Sequence, residues 1–257
     1  MIHIAITACG CVDDEGFGSA RVWTAWPQDA ATPPRLRWST LSQRPFDRFG
    51  RLDLLCKAAV AAAEMLELPV PEPGESRPDT ALVLGTDLGC IDVDLRFCRS
   101  MAEEGGASPK LFSYTLPSTA LGELAIRHQV TGPNLCLSAG PGSGLLALWE
   151  GAKLLLAGEA RCCIAIGAEA AAPPAVPEPI LRACAFLLDR GPTDREPLAT
   201  LSFARDDEAL CRATRPDRPL RCLFRFATRR DGIHTSPALY LKAPRTLVCR
   251  EALVVAR

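Results

Sequence analysis

Residues 132–148 read Gly-Pro-Asn-Leu-Cys-Leu-Ser-Ala-Gly-Pro-Gly-Ser-Gly-Leu-Leu-Ala-Leu, and they restrict the fold more than any other stretch. The apolar run at 135–139 suits a buried strand, and apolar residues from 145 to 156 recur at helical spacing. Between them, Gly140, Gly142 and Gly144 permit positive φ and a close approach of backbone to backbone. The unit is strand, tight turn and helix, with the unpaired N–H groups of the new helix facing the turn. Such a turn commonly carries a nucleophile or holds an anion. Here Pro141 occupies the crest, where that chemistry would place Cys, Ser or a charge.

The flanking segments repeat the alternation. Residues 2–8 read as a first strand, leading into a turn at Cys9-Gly10-Cys11 and an acidic loop through Gly18. Residues 23–45, rich in proline and arginine, read as an irregular excursion of about 19–45. A helix is expected over 46–68, a polar connector over 71–78, a strand covered on both faces over 80–85 and a helix over 92–104. A helix over 118–129, the central strand and helix, and a strand over 161–167 complete a second cycle. An Ala/Pro linker at 170–179 then precedes strands at 183–188 and 198–204, joined by a polar turn at 189–196. Strands are also expected at 221–227 and 246–255. The order implies a layered α/β sheet, with one domain over 1–205 and a short remainder, 206–257, packing on it.

With 48% apolar residues, the 257-residue chain has ample material for a packed core. Its 29 basic and 30 acidic residues nearly cancel, and no basic run exceeds Arg229-Arg230, so nucleic acid is not an expected partner. The longest apolar stretch, 145–157, is interrupted by Glu150 and Lys153 and is too short for a membrane span. Twelve cysteines would suggest disulfides in a secreted chain, but the start reads directly as a strand. Reduced thiols and a cytoplasmic location are therefore expected. Cys9-x-Cys11 lacks a second ligand pair at metal-binding spacing, and Cys162-Cys163 point to opposite sides of a strand, so neither is expected to bind metal. No cofactor is expected.

Several fragments, in order and at family spacing, resemble the N-terminal half of a β-ketoacyl synthase. They are Ser108-Pro109-x-x-Phe112, Leu116-Pro117-Ser118, Gly122-Glu123-x-Ala125-Ile126, Gly132-Pro133, the glycine turn, Ala157-Gly158-Glu159 and Ile166-Gly167-Ala168-Glu169. The match covers roughly residues 80–204, with the first strand plausible as the family's own. It implies the thiolase fold, in which two subunits pair through the strand before the nucleophile turn, here Leu135, Cys136, Leu137 and Ser138.

The departures set the functional expectation. An ungapped alignment puts Ala139-Gly140-Pro141 on the family's Thr-Ala-Cys, so Pro141 stands at the nucleophile position and supplies neither a thiol nor an N–H. The family's two catalytic histidines have no counterpart, because His3, His128 and His234 match neither motif. Cys136 reads as a core thiol and Ser143 as a small packing residue rather than a nucleophile. A chain that keeps the fold and loses the nucleophile resembles a chain-length factor, the inactive partner of a ketosynthase in type II polyketide assembly. Being too short for two halves, it more closely resembles the shortened synthase-like proteins of aryl polyene clusters. The resemblance implies an active β-ketoacyl synthase as heterodimer partner, an acyl carrier protein met through that complex, and a tunnel wall drawn from Phe112, Tyr114, Leu116 and Leu121. Two other classes stay open: a nucleotide-binding protein using Gly140-x-Gly142-x-Gly144 with Glu169, and a stand-alone acyl-thioester enzyme using Ser143 or a cysteine.

Overall fold

The computed structural model describes residues 2–27, 34–72, 74–103, 106–140, 142–191, 197–203, 208–213, 239–241 and 246–250. Its strands are β1 (Ile2–Asp13), β2 (Gly16–Ser19), β3 (Trp23–Ala25), β4 (Thr80–Gly85), β5 (Asn134–Leu137), β6 (Cys162–Ala171), β7 (Ile180–Asp189), β8 (Ala199–Phe203), β9 (Glu208–Ala213), β10 (Leu239–Leu241) and β11 (Thr246–Arg250). Its helices are α1 (Trp38–Leu41), α2 (Leu54–Glu64), α3 (Ile91–Glu103), α4 (Pro109–Phe112), α5 (Ser118–His128) and α6 (Ser143–Ala157), with a 3₁₀ turn at Phe49–Arg51. All strands join one sheet in the order β10-β11-β9-β8-β1-β7-β6-β4-β5, with β2 and β3 folded back beside β1. Among the described strands, β4 with β5 and β4 with β6 run parallel and the other pairs are antiparallel.

Alternation along the central strands splits the core in two. Leu82 and Leu84 of β4 and Ile164 and Ile166 of β6 join the cluster containing α2 and α5. Ala81 and Val83, with Cys163 and Ala165, face the other cluster, which contains α6. A strand covered on both faces must read as a continuous apolar run, and β4 is buried at all six positions. The small residues set how closely the layers approach. A Cβ on Gly85 would lie 1.9 Å from the Ser143 carbonyl oxygen, so β4 meets the start of α6 backbone to backbone.

Several boundaries differ from the sequence reading. Strand β1 does not turn at Cys9-Gly10-Cys11 but continues to Asp13, because β7 pairs with it residue by residue as far as Asp13↔Arg182. The reversal falls at 14–15, where the Asp13 carboxylate accepts from the N–H groups of Glu15 and Gly16. The excursion expected from about residue 19 contains β3, which pairs back onto β2, and α1. Helix α2 starts at Leu54 rather than 46, since Asp53 caps it by accepting from the N–H groups of Leu55 and Cys56. Part of the expected Ala/Pro linker is strand: β6 runs to Ala171, held by pairing with β7 as far as Ala171↔Ile180.

The expectation that all thiols are reduced is also corrected. Cys11 and Cys184 lie directly opposite in the β1–β7 register with Cα atoms 4.4 Å apart, and they form a disulfide. Cys9, Cys56, Cys90 and Cys163 are buried. The strand expected at 221–227 lies outside the described residues, as do Pro141 and His234.

Candidate functional site

The parallel strands β4 and β5 end together at Gly85 and Leu137, opposite Gly167 of β6, which runs on to Ala171; the loop after β4, the glycine turn and Glu169 of β6 lie at that end. In open α/β sheets, this carboxyl end is where ligands are usually held. Gly140 and Gly142 adopt φ of 79° and 104°, values that side chains rarely tolerate, so both glycines are required by the turn. Ser143 is 2% exposed. Its hydroxyl donates to the Gly140 carbonyl at 2.7 Å and accepts from the Ala139 N–H at 3.0 Å. The hydroxyl closes the turn on itself and is unavailable as a nucleophile.

Glu169 is committed as well. Its carboxylate accepts from the N–H of Asp87 at 2.6 Å and of Leu88 at 3.0 Å, clamping the loop after β4. Burial raises the pKa of this group, partly offset by the two backbone bonds. A carboxylate spent on its own backbone does not hold a ribose, and this weighs against the dinucleotide reading. Cys136 is half-buried, and desolvation raises the pKa of its thiol, disfavouring the reactive thiolate. His128 is 3% exposed, and burial, reinforced by Arg127, lowers its pKa to about 4. It ends α5, ahead of β5, whereas the glycine turn follows β5. No group of three or more His, Cys, Asp or Glu able to hold a metal occurs among the described residues.

Among the described residues, strand β5 terminates the sheet, pairing with β4 alone. Leu135, Cys136 and Leu137 are half-buried and Ser138 is exposed, so the strand offers a mixed, unpaired edge. The four expected wall residues are spread over different environments. Phe112 and Leu116 are 62% and 63% exposed, Tyr114 is half-buried against the α2–α5 cluster, and Leu121 is 3% exposed within it. Phe112 packs on Phe97 of α3, with ring centroids 5.6 Å apart.

Sequence reading overlooked two charged groupings. Arg127 and Glu64 pair at 2.9 Å with side chains only 12% and 4% exposed, and the guanidinium stacks over Trp38 and Phe46 at 4.6 and 4.7 Å. Glu123, 5% exposed, accepts from Arg48 at 2.7 Å. The partners lie 63 and 75 residues apart in the chain, beyond the reach of any local pattern.

The family model for the β-ketoacyl synthase N-terminal domain matches residues 29–212. A 3-oxoacyl-[acyl-carrier-protein] synthase 2 from Rhizobium meliloti (strain 1021) is 26% identical over 124 residues, which are 46% of this chain and 30% of that protein. The chain thus aligns with less than a third of the curated relative's length. Among solved structures, the ishigamide ketosynthase/chain length factor is similar with TM-score 0.60 and 22% identity, covering 77% of this chain and 65% of that one. A chain from the ketosynthase (ApeO) complex with its chain length factor (ApeC) from Xenorhabdus doucetiae matches with TM-score 0.59 and 17% identity, over 98% of this chain and 100% of that one. A β-ketoacyl synthase from Burkholderia phymatum STM815 matches with TM-score 0.59 and 14% identity, over 88% and 71%. The fold is the thiolase-like one, chiefly the ketosynthase N-terminal half.

Proposed function

The chain belongs to the β-ketoacyl synthase family, and from that premise we propose that it is a non-catalytic, chain-length-factor-type subunit that pairs with an active synthase. The observation that carries this reading is Pro141 on the nucleophile turn. Acyl transfer needs a nucleophile and oxyanion donors, and proline is neither. Ser143, the one hydroxyl on the turn's helical side, is consumed in closing it. The full-length match to a chain of a ketosynthase/chain length factor complex supports the same assignment.

In this reading the edge of β5, from Leu135 to Leu137, is where the partner adds its own strand, and the complex works in type II polyketide, aryl polyene or fatty-acid-like synthesis in the cytoplasm. The acyl carrier protein meets the partner's nucleophile. This subunit contributes shape: exposed Phe112 and Leu116 reach the partner's tunnel, Tyr114 backs them, and Leu121 supports them from the core. Residues 1–205 are proposed as the synthase-like unit.

The test is Pro141→Cys. The expected outcome is no condensation of acyl and malonyl carrier substrates by the variant alone, because a thiol without a histidine to activate it is insufficient. Turnover by the wild-type chain alone, or by this variant alone, would overturn the assignment.

A further inference from the structure

Among the described residues, the sheet has one seam: β10, β11, β9, β8 and β1 reach the β7-β6-β4-β5 half, which leads into the glycine turn, only through the pairing of β1 with β7. Cys11 and Cys184 face each other across that seam, and their disulfide joins positions 173 residues apart. A cross-link that closes so long a loop strongly restricts the unfolded chain. Both residues are 4% exposed and belong to the cluster that contains α6, on which Trp23 of β3 also packs. The bond nevertheless lies close to the end of the ladder, where only Val12↔Ala183 and Asp13↔Arg182 follow it. On its other edge Cys11 pairs with Gly18 of β2, a strand of four residues. Opening the end of a ladder and a short ribbon is a local event, far less costly than global unfolding, and it would bring the buried sulfurs to solvent.

We propose that the Cys11–Cys184 disulfide is a reversible redox lock on this seam: oxidised, it fixes β7 to β1, and reduced, it frees the end of the ladder and the β2–β3 ribbon to open. A disulfide in a reducing compartment is usually one that senses redox state rather than a permanent staple. The exchange balances. A thiolate of a dithiol reductant attacks one sulfur, forming a mixed disulfide and expelling the other cysteine as thiolate; the reductant's second thiolate then releases the first cysteine. The protein gains two electrons and two protons, and the reductant leaves as a cyclic disulfide. Glutathione disulfide runs the reaction backwards and leaves as two thiols. The lock lies away from β5 and stands without the partner-subunit reading.

The full-length chain, treated under native conditions with dithiothreitol and then with glutathione disulfide, provides the test, its thiols being alkylated and mapped by mass spectrometry. Cys11 and Cys184 should become alkylated together after the first reagent and protected together after the second. The urea midpoint of the oxidised chain should exceed that of the reduced chain by about 0.5–1 M. Amide exchange on reduction should quicken at 10–19 and 182–186 and stay unchanged in β4. Cys11→Ala/Cys184→Ala should match the reduced chain and ignore both reagents, whereas Cys98→Ala, which removes an exposed thiol, should keep the full response. Because wild type is compared in two redox states, the test does not depend on either variant folding. A bond that resists dithiothreitol in the folded chain, that does not re-form with glutathione disulfide, or whose loss leaves midpoint and exchange unchanged would overturn the proposal.

Discussion

Arg127 and Glu64 show how single residues fix the excursion that sequence reading left irregular. Glu64 also accepts from the Ser42 hydroxyl, and Arg127 donates to the Pro45 carbonyl, so α2, α5 and the 38–46 segment meet at one ion pair. Arg127→Ala would leave a buried carboxylate without its cation and should lower unfolding free energy by about 3–5 kcal/mol, measurable by urea denaturation. His128 makes a second residue-level prediction. Its folded pKa, about 4, lies below the ordinary 6.5, so the unfolded state takes up its proton first. The histidine therefore costs nothing above pH 6.5, and stability is lost as pH falls from 6.5 towards 4, by up to about 3 kcal/mol. His128→Gln should flatten that part of the stability profile, and an unchanged slope would count against a buried neutral imidazole. The glycine turn was legible because glycine spacing acts locally, whereas Ser143, expected only as a small packing residue, closes that turn through its hydroxyl. Glu64 and Glu123 were not legible, since a helical glutamate looks alike whether it faces solvent or a distant arginine.

At the level of elements, β4, α5 and the β5–α6 unit were read almost to the residue, since each shows its own period and flanking breaker. The misjudged ends are those decided by pairing. β1 passed Cys9-Gly10-Cys11 and β6 passed Ala170 because β7 continues to pair with both beyond those points. Asp53 was a visible cap signal, hidden by the apolar residues before it. The Ser143 hydroxyl holds the β5–α6 turn, so Ser143→Ala should destabilise the fold by about 1 kcal/mol, the Ala139 N–H losing its protein acceptor. β5 carries a different expectation. As a terminal strand with a partly apolar edge it invites strand addition. Leu137→Asp should abolish copurification with the synthase subunit or cause aggregation, and a soluble complex unaffected by that charge would rule out pairing through β5.

For the whole molecule, one sheet covered by α2 and α5 on one face and α6 on the other gives the thiolase-like half-fold, which the proposed reading makes a non-catalytic subunit. A subunit of this kind can alter only the space available to a growing chain. Phe112 and Leu116 lie outside its core and Tyr114 packs only partly against it, so in the proposed complex trimming Phe112 would create room at the interface rather than a cavity within the subunit. The most direct measurement is product length from the reconstituted heterodimer, read by mass spectrometry, with wild type, Phe112→Ala, Tyr114→Ala and the double variant. The account predicts longer products from the variants, with the rate on short primers little changed because every catalytic group belongs to the partner. An unchanged length distribution from an intact complex would contradict it.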